Sequence, residues 1–250
     1  MTAGPHSDRG PDAADDPLDI ATAGTDPAAG IAAAAHLVVA RPARLGGTRL
    51  VAVDGPSGSG KTSLAAPLAA AIAALVGGDV ISLRRTSGES RVGSGRHPSE
   101  SSSPPPMPDP GSRKRIAVVS TDLLATWEHP LGWWPLLQDH LLEPLASGIA
   151  ADLPVVQWIS GNPRPGGSVH VPPVDVLVLE GVSSGRAAVT DRLTALVWVE
   201  VPGPARRLER AVKRDGEEMR PYLARWQHDE DAHFRADGTR GRADVVITPP

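Results

Sequence analysis

The chain has 250 residues, with 25 Lys plus Arg against 29 Asp plus Glu, a net charge of −4 and no Cys. Without cysteine there is no disulfide scaffold and no thiolate metal or iron–sulfur centre, and mild acidity gives no global attraction to nucleic acid. An acidic N-terminus with no apolar core behind it, and a longest apolar run of only 68–76, predict neither a secretory leader nor a membrane span, so a cytoplasmic protein is expected.

Residues 1–30 carry six Asp and one Arg among many Ala, Gly and Pro, and so few large apolar side chains that burial cannot offset the entropy of ordering. They read as a disordered acidic tail. The remainder, 31–250, reads as one domain interrupted at 84–115. That low-complexity stretch holds seven Arg or Lys against three acids and a Ser/Pro run, and is expected to be a disordered insertion. Lacking interleaved aromatics, it gives no reason to expect a nucleic-acid partner.

Short, β-branched apolar runs at 50–53, 116–119, 174–179, 196–201 and 245–247 predict buried strands. Between them, 61–76, 133–147, 204–214 and 217–234 predict helices, the first two ended by Gly. Continuous apolar strands alternating with helices imply an α/β fold: about five parallel strands with helices on both faces.

The first strand runs into Asp54-Gly55-Pro56-Ser57-Gly58-Ser59-Gly60-Lys61-Thr62, the Walker A pattern of a P-loop NTPase fold. Gly58 and Gly60 let backbone N–H groups curl around a phosphate, and the following helix adds its positive dipole end. Gly55, Ser57, Gly58, Ser59, Gly60, Lys61, Thr62 and Ser63 are therefore the candidate ATP contacts. Lys61 reaches the β- and γ-phosphates, and the Thr62 hydroxyl suits Mg2+.

The strand 174–179 ends in Glu180, a second candidate Mg2+ ligand, unless it is a strand-terminal acid without a role. The strand 116–119 ends in Ser120-Thr121-Asp122. In parallel sheets ligands sit at the carboxyl ends of strands, so Asp54, Asp122 and Glu180 should gather near the phosphate. Asp54 can be explained as orienting the loop, whereas Asp122 is placed to accept a hydroxyl proton during phosphoryl transfer. Arg206, Arg210 and Arg214, spaced by four, form a stripe that fits either a lid over ATP or a solvated helix face.

Together 53–62, Ser-Thr-Asp-Leu-Leu (120–124), Leu-Glu-Gly-Val (179–182) and Arg-Leu-Glu-Arg-Ala-Val-Lys-Arg-Asp (207–215) resemble the uridine kinase-type P-loop nucleoside kinases, nearest a divergent bacterial branch. The likeness extends to 132–137 and 229–240. It implies a five-stranded core, Mg2+ and ATP, transfer to a nucleoside 5′-hydroxyl, Asp122 on the acceptor side, and a lid carrying Arg207, Arg210 and Arg214. Where the family carries a Tyr-Asp-Trp segment, this chain reads Val156-Gln157-Trp158.

The expected function is therefore an ATP-dependent kinase of a small hydroxyl compound, a pyrimidine nucleoside first. The alternatives are a kinase of another hydroxylated metabolite on the same core, or a non-catalytic ATP-binding regulator. Trp127, Trp133, Trp134 and Trp158 cluster where an acceptor pocket belongs, whereas Trp198 reads as core. His228 and His233 flank Asp229-Glu230-Asp231, but a spacing of five does not share a helix face, so a solvated acidic face is expected there.

Overall fold

A computed structural model describes residues 26–86 and 113–250. The acidic tail up to residue 25 and residues 87–112 of the insertion lie outside the described residues. What is described begins earlier than the sequence suggested. Helix α1, Pro27–Ala40, starts inside the tail segment, with Asp26 as N-cap accepting from the Ala28 N–H at 3.0 Å and Pro at its first position.

Strand β1, Arg49–Asp54, leads through the glycine loop into α2, Lys61–Val76, which Gly77 stops in a left-handed turn. Next come β2, Asp79–Val80, and β3, Arg84–Thr86. After the undescribed stretch follow β4, Arg115–Ser120, and then a helical segment: α3, Trp134–Leu137, a π-helical stretch Gln138–Leu142, and α4, Glu143–Ala146. A hairpin of β5, Ala151–Ile159, and β6, Asn162–Val171, precedes β7, Val176–Glu180, and β8, Leu193–Val199. Helices α5, Pro204–Asp215, and α6, Arg220–Asp237, and strand β9, Val245–Ile247, complete the chain.

Six strands make a parallel sheet in the order β2-β4-β7-β1-β8-β9, one more than expected because of the two-residue edge strand β2. One face packs Val51, Val53, Val178 and Val197 against α1 and α2 through Leu64, Leu68 and Ile72. The other packs Leu50, Leu177 and Leu179 against the α3–α4 segment through Leu137, Leu141 and Leu145. Both faces are thus buried, which is why these strands lack polar alternation.

The second sheet, β3-β6-β5, is antiparallel and has no counterpart in the sequence reading. Its strands carry Pro154, Pro163, Pro165 and Gly166-Gly167, residues that argue against strand and are tolerated near sheet edges and irregularities. Arg84–Thr86 pairs with 168–170, so the first residues of the stretch read as an insertion belong to this sheet, and Arg115 at its far end belongs to β4. Among the described residues no helix is long and apolar enough to cross a membrane.

Candidate active site

The carboxyl ends of β1, β7 and β4 lie side by side, with Val53 and Ser120 both in register with Glu180. Fully buried Asp54 ends β1 and accepts three backbone N–H groups: Gly55 at 2.6 Å, Ser183 at 2.8 Å and Gly185 at 2.8 Å. It ties the start of the phosphate loop to the turn after β7, which is the orienting role the sequence allowed it. Burial pushes its carboxyl up to about 6, against the opposing pull of those N–H groups and of Lys61.

The loop can hold its shape only with glycine at two points. Gly55 has φ +144, and a Cβ there would lie 2.0 Å from the Val199 carbonyl oxygen; Gly58 has φ +75 and would place one 2.4 Å from the Arg207 carbonyl oxygen. Lys61 is 8% exposed and its Nζ donates to the Gly55 and Pro56 carbonyls at 2.8 and 3.0 Å. The Thr62 hydroxyl meets the Glu180 carboxylate at 3.3 and 3.4 Å. Burial raises the Glu180 pKa; the Ser120 hydroxyl lowers it and the nearby charge of Asp122 adds to the rise. A hydroxyl facing a carboxylate in hard oxygen surroundings fits Mg2+ better than a softer metal.

These groups open on a cavity of about 1190 Å³ that runs from the loop to the β5/β6 hairpin. Ser57, Gly58, Gly60, Lys61, Thr62 and Ser63 line its phosphate end, together with Glu180. Asp122, on a 3-10 turn at 121–123, is exposed and also lines it, its N–H donating to Ser120 Oγ at 3.3 Å. The remaining loop residues face elsewhere. The Gly55 N–H goes to Asp54, and Ser59 is fully buried, its N–H donated to the Pro56 carbonyl at 3.2 Å. Ser57 keeps its place on the cavity wall, but its N–H and hydroxyl are both donated to Glu230.

The arginines divide by face. Arg210 and Arg214 line the cavity, whereas Arg206 is exposed outside it. Arg214 is clasped by Asp215 at 2.6 and 2.7 Å, which raises its pKa, and the charges of Asp122 and Glu180 act in the same direction. Arg207 is buried behind the loop, donating to the Val201 carbonyl at 3.1 Å, with its own carbonyl against Gly58.

The far end of the cavity is aromatic. Trp127 is the hub of a ring cluster, with centroids 5.0 Å from Trp158, 5.2 Å from Tyr222 and 5.3 Å from Trp226, and its Nε1 donates to the Gly161 carbonyl at 2.8 Å. Trp133 and Trp134 instead lie under the Arg186 guanidinium at 4.4 and 5.2 Å, and Trp198 packs in the core on Phe234. Arg85, Gln157 and Trp226 also face the cavity and went unmarked as site residues in the sequence. The only signal for Trp226 was its place four residues after Tyr222 on a helix.

The Asp229-Glu230-Asp231 run is not a solvated face. Glu230 is 1% exposed against the phosphate loop, Asp231 approaches Arg207 at 3.8 Å, and His233 pairs its Nε2 with the Ser183 hydroxyl at 2.7 Å. Helical periodicity misled here because α6 has neighbours on more than one side.

A parallel α/β sheet with a glycine-tight phosphate loop between its β1 strand and the following helix is the P-loop NTPase fold. No family model matches the sequence, and a search of curated proteins finds no relative. Solved structures do match. A possible uridine kinase from Bacillus stearothermophilus superposes with a TM-score of 0.54 at 16% identity, over 88% of this chain and 98% of that one. A candidate fructose transport system kinase from Silicibacter sp. TM1040 gives a TM-score of 0.52 at 20% identity, over 86% and 98%. What this chain shares with them is the fold of P-loop kinases.

Proposed function

We propose that the protein is an ATP-dependent kinase that moves the γ-phosphoryl group to a hydroxyl of a small acceptor, first among them the 5′-hydroxyl of a pyrimidine nucleoside. The observation that carries this reading is one continuous cavity with Lys61, Thr62 and Glu180 at one end, an aromatic wall at the other and Asp122 exposed on its lining. That is the arrangement needed to hold donor and acceptor in line.

The Lys61 ammonium and the loop N–H groups hold the phosphates of ATP. Thr62 and Glu180 are the residues that would hold Mg2+, which supplies neutralisation of phosphate charge when bound. Asp122 accepts the proton of the acceptor hydroxyl as its oxygen bonds to the γ-phosphorus and the bond to the ADP oxygen breaks. Arg210 and Arg214 neutralise charge developing on the transferred group.

A planar base can stack on a ring of this wall such as Trp158, which lines the cavity and is 36% exposed, and this favours a nucleoside over a sugar. The two solved structures, one named for uridine and one for fructose transport, keep another hydroxylated metabolite as the second reading. A regulator without transfer activity is disfavoured by the presence of both Asp122 and Glu180 in the cavity. The test is to incubate the protein with Mg-ATP and a panel of nucleosides and sugars, beside Asp122→Asn. Phosphorylated pyrimidine nucleoside is expected, with kcat reduced about 100- to 10,000-fold in the variant. Product from a sugar alone would replace the nucleoside reading, and full activity in the variant would remove Asp122 as base.

A further inference from the structure

One buried acid at the site has no part in the chemistry above. Glu230 lies in the middle of α6, and its oxygens accept from the Ser57 N–H at 2.8 Å and from the Ser57 hydroxyl. It does not line the cavity, so it grips the phosphate loop from the side away from the nucleotide site. Burial raises its pKa, opposed by the charge of Lys61, by the two Ser57 donors and by the charge of Arg207, each of which favours the ionised form.

The same helix reaches three parts of the site. Leu223 and Trp226, two turns and one turn earlier, line the cavity at its aromatic end; Glu230 holds Ser57; and His233 holds the Ser183 hydroxyl, in the turn whose N–H groups Asp54 collects. A carboxylate with two donors from one residue is a directional tether, stronger than a neutral pair, and in this dry setting it fixes the position of that residue.

We propose that Glu230 is a positioning residue for the phosphate donor: by holding both polar groups of Ser57 it sets the loop so that the N–H groups further along face the phosphates, and it fixes that loop to the helix that walls the acceptor end. This rests on the nucleotide-binding reading of the site. Ser57 then acts as the anchor of the loop, and its polar groups are spent on the protein itself.

The experiment is a double-mutant cycle of Glu230→Gln and Ser57→Ala, reading the Kd of Mg-AMP-PNP by calorimetry at a temperature where each variant is folded, alongside the melting temperature without nucleotide. Glu230→Gln keeps the shape and one acceptor oxygen but loses the charge. It is expected to weaken Mg-AMP-PNP binding about tenfold. Ser57→Ala, which keeps the N–H, should weaken it less, and the pair should be non-additive. An unchanged Kd in Glu230→Gln, whether or not the melting temperature falls, overturns the proposal by reducing Glu230 to a structural contact; additive losses overturn it too. If the unsubstituted protein itself fails to bind Mg-AMP-PNP, it is the nucleotide-binding reading that falls.

Discussion

The two ends of the cavity are built by different means. On the proposed reading the recognising groups at the phosphate end are backbone N–H groups and one lysine, all within a single short loop that contacts of glycine, Asp54 and Glu230 hold in shape. At the aromatic end they are side chains drawn from separate elements: Trp127 after β4, Trp158 on β5 and Trp226 on α6. Phosphate is one unvarying ligand, so one loop geometry serves it and little variation is tolerated. An acceptor is read by the shape and polarity of side chains that can be exchanged one at a time.

Gly58→Ala should break the phosphate end outright. The added methyl would sit 2.4 Å from the Arg207 carbonyl oxygen at a backbone φ of +75, so the loop must open or α5 must retreat. Mg-AMP-PNP affinity is expected to fall about 100- to 1000-fold while the circular-dichroism spectrum at 20 °C or below stays folded. Calorimetry decides it, and near-normal affinity would mean that the loop is less constrained than its contacts imply.

The aromatic end should yield more gradually. Trp127→Ala removes the hub of three ring contacts and the hydrogen bond to the Gly161 carbonyl at the hairpin tip. KM for a nucleoside acceptor is expected to rise about 10- to 100-fold, with the Kd for Mg-AMP-PNP held within about twofold. Trp127→Phe keeps one aromatic ring but loses the N–H and part of the indole face, so it should recover part of the affinity if stacking is what matters. Equal losses in both constants would show that the two ends are less separable than their construction suggests.

The same contrast explains what could be read in advance. The β1–loop–α2 unit is local, and each residue in it reports a local need: glycine for left-handed backbone, Lys61 for charge, Thr62 for a hydroxyl at the helix start. Glu180 and Asp122 were legible because parallel strands deliver their carboxyl ends to one edge. The β3-β6-β5 sheet was not, since the prolines and glycines of its hairpin at 163, 165, 166 and 167 mimic a loop, and its third strand joins Arg84–Thr86 to the distant residues 168–170. Helix α1 was hidden for a related reason: an Ala-rich run, with Gly30 packed on Ile247, looks featureless until a sheet is placed beneath it. Arg207 and Glu230 fall in the same class, because burial behind the loop is a property of the folded neighbourhood and of nothing in their own segments.

Asp54 provides the finest probe of the comparison, with the smallest expected effect on turnover, because it stands at the phosphate end yet touches no substrate. Its folded pKa of about 6 lies above the ordinary 3.8. Between those values the folded state holds a proton that the unfolded chain has released, so this group's contribution to stability falls as pH rises from about 4 to about 6 and is level on either side. Asp54→Asn has no such slope. The stability of the original protein relative to the variant should therefore decline across that window by on the order of 3 kcal/mol, since each pKa unit corresponds to about 1.4 kcal/mol. Glu180 and Glu230, whose pKa values are also raised, titrate in both proteins and largely cancel in the difference. Urea unfolding at pH 4, 5, 6 and 7 measures it. An amide has one oxygen and must turn its NH2 toward one of the three N–H groups that Asp54 now satisfies, so the variant should also bind Mg-AMP-PNP more weakly at pH 7. A flat difference across the series would mean that the three N–H groups outweigh burial and keep Asp54 ionised throughout. A declining difference with weakened binding would mean that the chain keeps a buried charge, at a cost in stability, to hold the phosphate loop in its working shape.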